Sequence, residues 1–296
     1  MKKCLMLLVG LLAFLSGYAQ KQPHSLEALK KQIEARLNLV EGEFAVAFKD
    51  LKTGEALYIN EKTNFHAAST MKTPVMIEVF RQAKSGKFKL TDSIVVKNEF
   101  KSIVDGSPYS MDIGDDSADG LYDKIGRKMT IYDLTYLMIT VSSNLATNIL
   151  IDLVGAKNAN ATMRQMGAND IQVLRGVEDN KAYDLGLNNT VTAFDLALIF
   201  EKIARKEPVG KKASKQMLQI LFDQKFKEII PAKLPKEAKV AHKTGSITGV
   251  QHDSGIVFLN KGKKYVLVLL SRKLKDTQAG VAALAEVSGM VYDFVR

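Results

Sequence analysis

The sequence predicts an α/β plus all-α domain, with an antiparallel sheet built from the N- and C-terminal segments, flanked by helices, and a helical subdomain inserted between them. Three observations carry that reading: hairpin chemistry near the start, three strand-like runs near the end, and helical periodicity in between.

The chain begins MKKCLMLLVGLLAFLSGYAQ. Lys2 and Lys3 precede an apolar run from Cys4 to about Leu15, and small residues follow, the pattern of a secretory signal cut after Ala19. The run is shorter than the roughly 20 residues a spanning helix requires, so no stable membrane insertion is expected. Cys4 is the sole cysteine and leaves with the signal, which leaves a mature chain without thiol chemistry or disulfides. Export without disulfides points to a bacterial periplasm or cell exterior, and a periplasmic protein is expected. Residues 20–296 are enough for one catalytic domain, its α/β part about 20–62 and 212–296 and its helical part about 63–211. Losing Lys2 and Lys3 lowers the net charge from +10 to +8. No basic stretch is interleaved with aromatics, so the charge reads as a solvated surface and no nucleic-acid partner is expected. A monomer is expected.

From Ser25, a capping residue, Leu26, Leu29, Ile33 and Leu37 recur at helical spacing. In EGEFAVAFKDLKTGEALYIN, Phe44, Val46 and Phe48 alternate with small residues, and Asp50 to Gly54 supplies the turn of a hairpin. Thr130 caps MTIYDLTYLMI, a further helix runs through Leu145, Ile149 and Leu153 to Gly155, and Thr192 with Asp195 opens another. Strand patterns return in AKVAHKT, SGIVFLN and KKYVLVLLS, the last two joined by a turn at Lys261-Gly262-Lys263. Val281, Leu284, Val287, Val291 and Val295 mark a closing amphipathic helix. The acidic, loop-rich segment from Ser102 to Arg127 is long enough to be functional.

Chemistry concentrates in three short stretches. Ser69 and Lys72 lie three apart at a helix start, so they share a face and the ammonium can approach the hydroxyl. A serine is a poor nucleophile until something takes its proton, and a desolvated lysine crowded by other cations can do so. Alone, this spacing also fits a helix cap with an exposed lysine. Ser142 and Asn144 fall between two helices, and Lys243-Thr244-Gly245-Ser246 ends a strand, offering a cation, a hydroxyl and a backbone N–H to a carboxylated ligand.

In this order, Ser-x-x-Lys, Ser-x-Asn and Lys-Thr-Gly resemble the penicillin-recognising serine hydrolases, and the length and element order resemble class A β-lactamases over nearly the whole mature chain. The resemblance implies Ser69 as the acylated nucleophile, Lys72 as its proton acceptor, and Ser142 as the shuttle to the leaving nitrogen with Lys243 beside it. It further implies that Asn144 holds the substrate's side-chain amide and Thr244 its carboxylate, with an oxyanion hole from the N–H groups of Ser69 and Ser246. No cofactor and no metal are implied, and no His/Asp/Glu cluster has metal spacing.

Departures are as informative. The deacylating glutamate of the family would be Glu178, but it stands differently from the usual Arg-x-Glu relative to Arg175. Ala182 occupies the place of the water-holding asparagine, which leaves Asn180 or Asn188 to serve. Ser143 replaces the aspartate of Ser-Asp-Asn. Gln251-His252-Asp253-Ser254 lacks the arginine that many members use for the carboxylate, so His252 or Arg272 are the available substitutes. Tyr109 reads either as a cleft wall or as a plain loop aromatic, and His66 as structural. The expectation is a serine β-lactamase acting on small β-lactams. A peptidoglycan D,D-peptidase or esterase, or a β-lactam-binding protein without turnover, are the alternatives.

Overall fold

Ser25 does cap the first helix, α1 (Leu26–Leu37), its side chain accepting the Ala28 N–H at 3.2 Å. The computed structural model describes residues 25–296, so the expected signal segment lies outside the described residues. Strands β1 (Glu43–Asp50) and β2 (Ala56–Ile59) form the hairpin, with Asp50 Oδ1 accepting the N–H groups of Lys52 and Thr53 in its turn. The two-residue strand β3 (Phe65–His66) then leads into a tight turn, Ala68–Met71, and α2 (Lys72–Lys84).

The middle of the chain is helical. Short strands β4 (Ser93–Val95), β5 (Phe100–Lys101), β6 (Pro108–Tyr109) and β7 (Lys128–Thr130) tie its outer loops. Helices α3 (Ile131–Thr140), α4 (Asn144–Val154) and α5 (Ala156–Gln165) follow, then α6 (Asn180–Asp184), β8 (Thr190–Val191), α7 (Ala193–Arg205) and α8 (Lys211–Phe222). Thr130 and Thr192 cap α3 and α7 through the Asp133 and Asp195 N–H groups, as their spacing predicts.

The chain returns through β9 (Lys239–Ile247), β10 (Val250–Phe258) and β11 (Lys264–Arg272) to the last helix, α9 (Thr277–Val295). The sheet is antiparallel, in the order β2-β1-β11-β10-β9, so both ends of the chain meet at its centre. Its two faces are buried in separate cores. Phe44, Val46 and Phe48 pack with α1 and α9, where Leu284, Val287 and Val291 each contribute about 2 kcal/mol of burial. The small Ala45 and Ala47 turn to the other face, against the helical body. Burial on both sides explains why β11 reads as a continuous apolar run. No described helix is long and apolar enough to cross a membrane.

This architecture sets the site where α2, the α3–α4 junction and the edge strand β9 converge. The turn before α2 packs against β9, and α2 against α4.

Candidate active site

Ser69 lies in the turn that enters α2, and neither that turn nor the helix has a side-chain cap. The cap reading of Ser69 therefore fails. Lys72 is no exposed lysine either: it is fully buried, because α2 is buried along most of its length from Lys72 to Phe80. Its Nζ donates to the Ser142 carbonyl at 2.7 Å, Asn144 Oδ1 at 2.9 Å and Ser142 Oγ at 3.2 Å. The sequence directs the ammonium at Ser69, whereas its bonds go to Ser142 and Asn144. Burial pulls its pKa down to about 7, against a smaller opposing pull from Asp116 and Glu178.

Lys243 comes from β9 to the same point. Its Nζ donates to Ser142 Oγ at 3.0 Å and to the Thr244 carbonyl at 2.8 Å. It too is fully buried, and burial with the Lys72 charge holds it well below the ordinary lysine range. Ser142 Oγ thus stands between two ammonium groups. The residue that achieves this is strained: Ser142 has φ 61°, in the left-handed region that non-glycine residues avoid. Ala68, just before Ser69, has φ 44° and Glu178 has φ 61°. Strain of this kind, about 1–3 kcal/mol each, persists where surrounding structure enforces it.

Ser69, Ser142, Asn144, Thr244 and Ser246 all line one cavity of about 400 Å³. Gly245 brings the strand edge against Ser69. A Cβ there would stand 3.0 Å from the Ser69 nitrogen, 3.1 Å from that of Thr70 and 3.2 Å from the Ala68 Cβ. Gly245→Ala should push β9 off the turn by a few tenths of an ångström and slow acylation about tenfold, because reacting groups tolerate little misplacement. Stopped-flow acylation of the variant checks this; a rate equal to wild type would show that the close approach is immaterial.

Asn144 is fixed from both ends, since its Nδ2 donates to the Asp115 carbonyl at 3.0 Å while its Oδ1 holds Lys72. The bracing carboxylate missing at position 143 comes from the acidic loop. Asp116 Oδ2 accepts the Leu145 N–H at 2.7 Å and Ser143 Oγ–H at 3.2 Å, while Ser143 itself caps α4. Sequence reading missed Asp116; the loss of an acid at 143 beside an unusually acidic loop was the available signal.

Glu178 stands on the loop closed by Asn189, whose side chain accepts the Leu174 and Arg175 N–H groups and donates to the Arg175 carbonyl. Asn148 of α4 holds Val177 by both amide atoms, and Asp179 bonds Ser102 and the Ile103 N–H. Both residues escaped the sequence reading because each acts across a long stretch of chain. The loop delivers Glu178 to a cavity of about 470 Å³ that shares Ser69, Asn144 and Ser246 with the first. Glu178 Oε2 accepts the Asp112 N–H at 2.9 Å, and Oε1 is buried without a protein partner. Burial raises its pKa, helped by the charges of Asp115, Asp116 and Asp112 and opposed by the Asp112 N–H. Ala182 is buried, Asn188 is engaged by Arg175, and Asn180 lines the cavity with Glu178.

Neither substitute for the missing arginine offers a free cation. His252 is fully buried, its Nε2 bonding the His66 carbonyl at 2.9 Å, and burial lowers its pKa to about 4. Arg272 is tied to Glu43 and the Asn64 carbonyl. Tyr109 is not at the cleft but behind the loop, hydrogen-bonded to Asn148 and close against Gly176.

The fold is that of the class A β-lactamases. It is similar to an ancestral class A β-lactamase at TM-score 0.78 and 22% identity, covering 90% of this chain and 99% of that one. A β-lactamase from Sphaerobacter thermophilus matches at TM-score 0.75 and 26% identity, covering 90% and 96%. A point mutant of PBP-A, in its acyl-enzyme complex with penicillin G, matches at TM-score 0.77 and 27% identity, again covering 90% and 96%. The profile of the β-lactamase enzyme family matches residues 28–295, and the chain belongs to that family.

Proposed function

We propose that this protein is a periplasmic serine β-lactamase that opens the β-lactam amide through an acyl-enzyme on Ser69 and works as a monomer without a cofactor. The observation that carries the reading is the meeting of buried Lys72 and Lys243 on Ser142 Oγ, in the cavity that also contains Ser69. With its pKa lowered by burial to about 7, Lys72 has its neutral form within reach at neutral pH and can accept the Ser69 proton. Ser69 Oγ then attacks the lactam carbonyl carbon, and the developing oxyanion is met by the N–H groups of Ser69 and Ser246, each such donor typically worth about 3–4 kcal/mol. The proton passes through Ser142 to the ring nitrogen as the C–N bond breaks. In the second step Glu178, its pKa raised by burial, takes a proton from water. The resulting hydroxide attacks the ester carbonyl, the C–O bond to Ser69 breaks, and the Ser69 oxygen takes up the proton that Glu178 gives back, which restores the carboxylate.

A second reading, a cell-wall D,D-peptidase or esterase with little lactamase turnover, draws on the alanine at 182 and on the Asp112 N–H that already occupies one Glu178 oxygen. Both readings share the first step. Peptide mapping after brief exposure to penicillin G should find the adduct on Ser69 and nowhere else. An adduct on another residue, or none, would remove Ser69 from its role.

A further inference from the structure

We infer that the cleft selects substrates bearing a cationic group on the carbon beside the side-chain amide, with Asp115 as the counter-ion. This rests on the acyl-transfer reading above and adds the substrate class to it. The protein carries a net charge of +10, yet the charged residues lining the cleft are three acids, Asp115, Glu178 and Glu228, beside one cation, Arg175. Asp115 lines both halves of the cleft, Glu228 lines the half beyond Thr244, and Glu178 the opposite half.

The nearby cations are already engaged. Lys72 and Lys243 are fully buried and bonded to Ser142. Arg175 is 7% exposed, with its guanidinium on the Gly176 carbonyl and Asn188 Oδ1. Lys225 and Lys227 flank Phe226 but do not line the cavity.

Of the described acids of the loop, Asp115 is the one that lines the cleft. Asp116 is saturated by Leu145, Ser143, Tyr122 and Ala118. Asp112 Oδ1 accepts the Gly114 N–H. The Asp115 carboxylate makes no ion pair or side-chain hydrogen bond among the described residues, while its main chain is fixed by Asn144 Nδ2. That bond sets the Asp115 main chain beside the amide group proposed to hold the substrate's own side-chain amide, and both residues line the cleft. An ammonium one carbon away would face Asp115. It would also relieve the crowding of negative charge that Asp115 and Asp116 impose on Glu178.

Penicillin G and ampicillin differ only by an ammonium on that carbon, which makes them a matched pair. Second-order acylation constants for both, followed by intact mass at about pH 6 where an α-amine is charged, give an ampicillin-to-penicillin G ratio for each protein. Asp115→Asn should lower that ratio about fivefold at low salt, and high salt should shrink the wild-type ratio toward that of the variant. An identical ratio in wild type and Asp115→Asn, with both penicillins acylating, would overturn this inference and leave the acyl-transfer reading standing. Failure of wild type to acylate with either compound would overturn both.

Discussion

Lys72→Ala should slow acylation of Ser69 by about a thousandfold, the range that a positioned general base supplies, and should leave the fold intact. Lys72 Nζ joins α2 to the α3–α4 junction through three hydrogen bonds, so its loss removes the proposed proton acceptor and a group that bonds Ser142 and Asn144. Stability should suffer less than activity. The folded pKa of about 7 lies below the ordinary lysine value of 10.5, so between these values the unfolded chain binds the proton more tightly than the folded one. Stability therefore falls as pH drops through that window, and the alanine variant escapes this cost. The same depression fixes the pH profile. Wild-type acylation should rise through about pH 7 as Lys72 loses its proton, and the residual rate of the variant should lack that limb. Stopped-flow measurements across pH check both; a variant that acylates at a near wild-type rate removes Lys72 from the chemistry.

Glu178→Gln should acylate at the wild-type rate and then stall, because the amide cannot accept the proton of the attacking water. Acyl-enzyme should accumulate in the variant and clear in wild type, a difference of about a hundredfold or more in the lifetime of the adduct. The buried, unpartnered Oε1 and the raised pKa suit this carboxylate to the task. Glu178 is kept at its strained φ of 61° by the surrounding loop, which Asn148 anchors through Val177. A glutamine variant that clears its adduct as fast as wild type would make Glu178 a bystander.

Much of the fold was legible because local signals and tertiary packing agree. Ser25, Thr130 and Thr192 are caps both by spacing and in the structure, and Phe44, Val46 and Phe48 face one core as their alternation predicts. The three motif stretches lie far apart in the chain, and their convergence on Ser142 Oγ follows from recognising their order. Spacing alone placed Lys72 beside Ser69, but burial turns its ammonium toward the α3–α4 junction, and a three-residue interval cannot encode that direction. The loop acids were harder still. Asp116 bracing position 145 and Asp179 reaching Ser102 are contacts between distant segments, with no periodic pattern to announce them. His252 and Arg272 appeared equally able to serve a carboxylate until their partners, the His66 carbonyl and Glu43, became visible.

The central claim, acylation on Ser69 followed by hydrolysis, is tested most directly by intact mass spectrometry of the wild-type protein mixed with penicillin G and sampled over time. The account predicts a single adduct of penicillin mass that appears and then disappears as free, ring-opened product accumulates. An adduct that persists for hours, or product formation without any adduct, would contradict it.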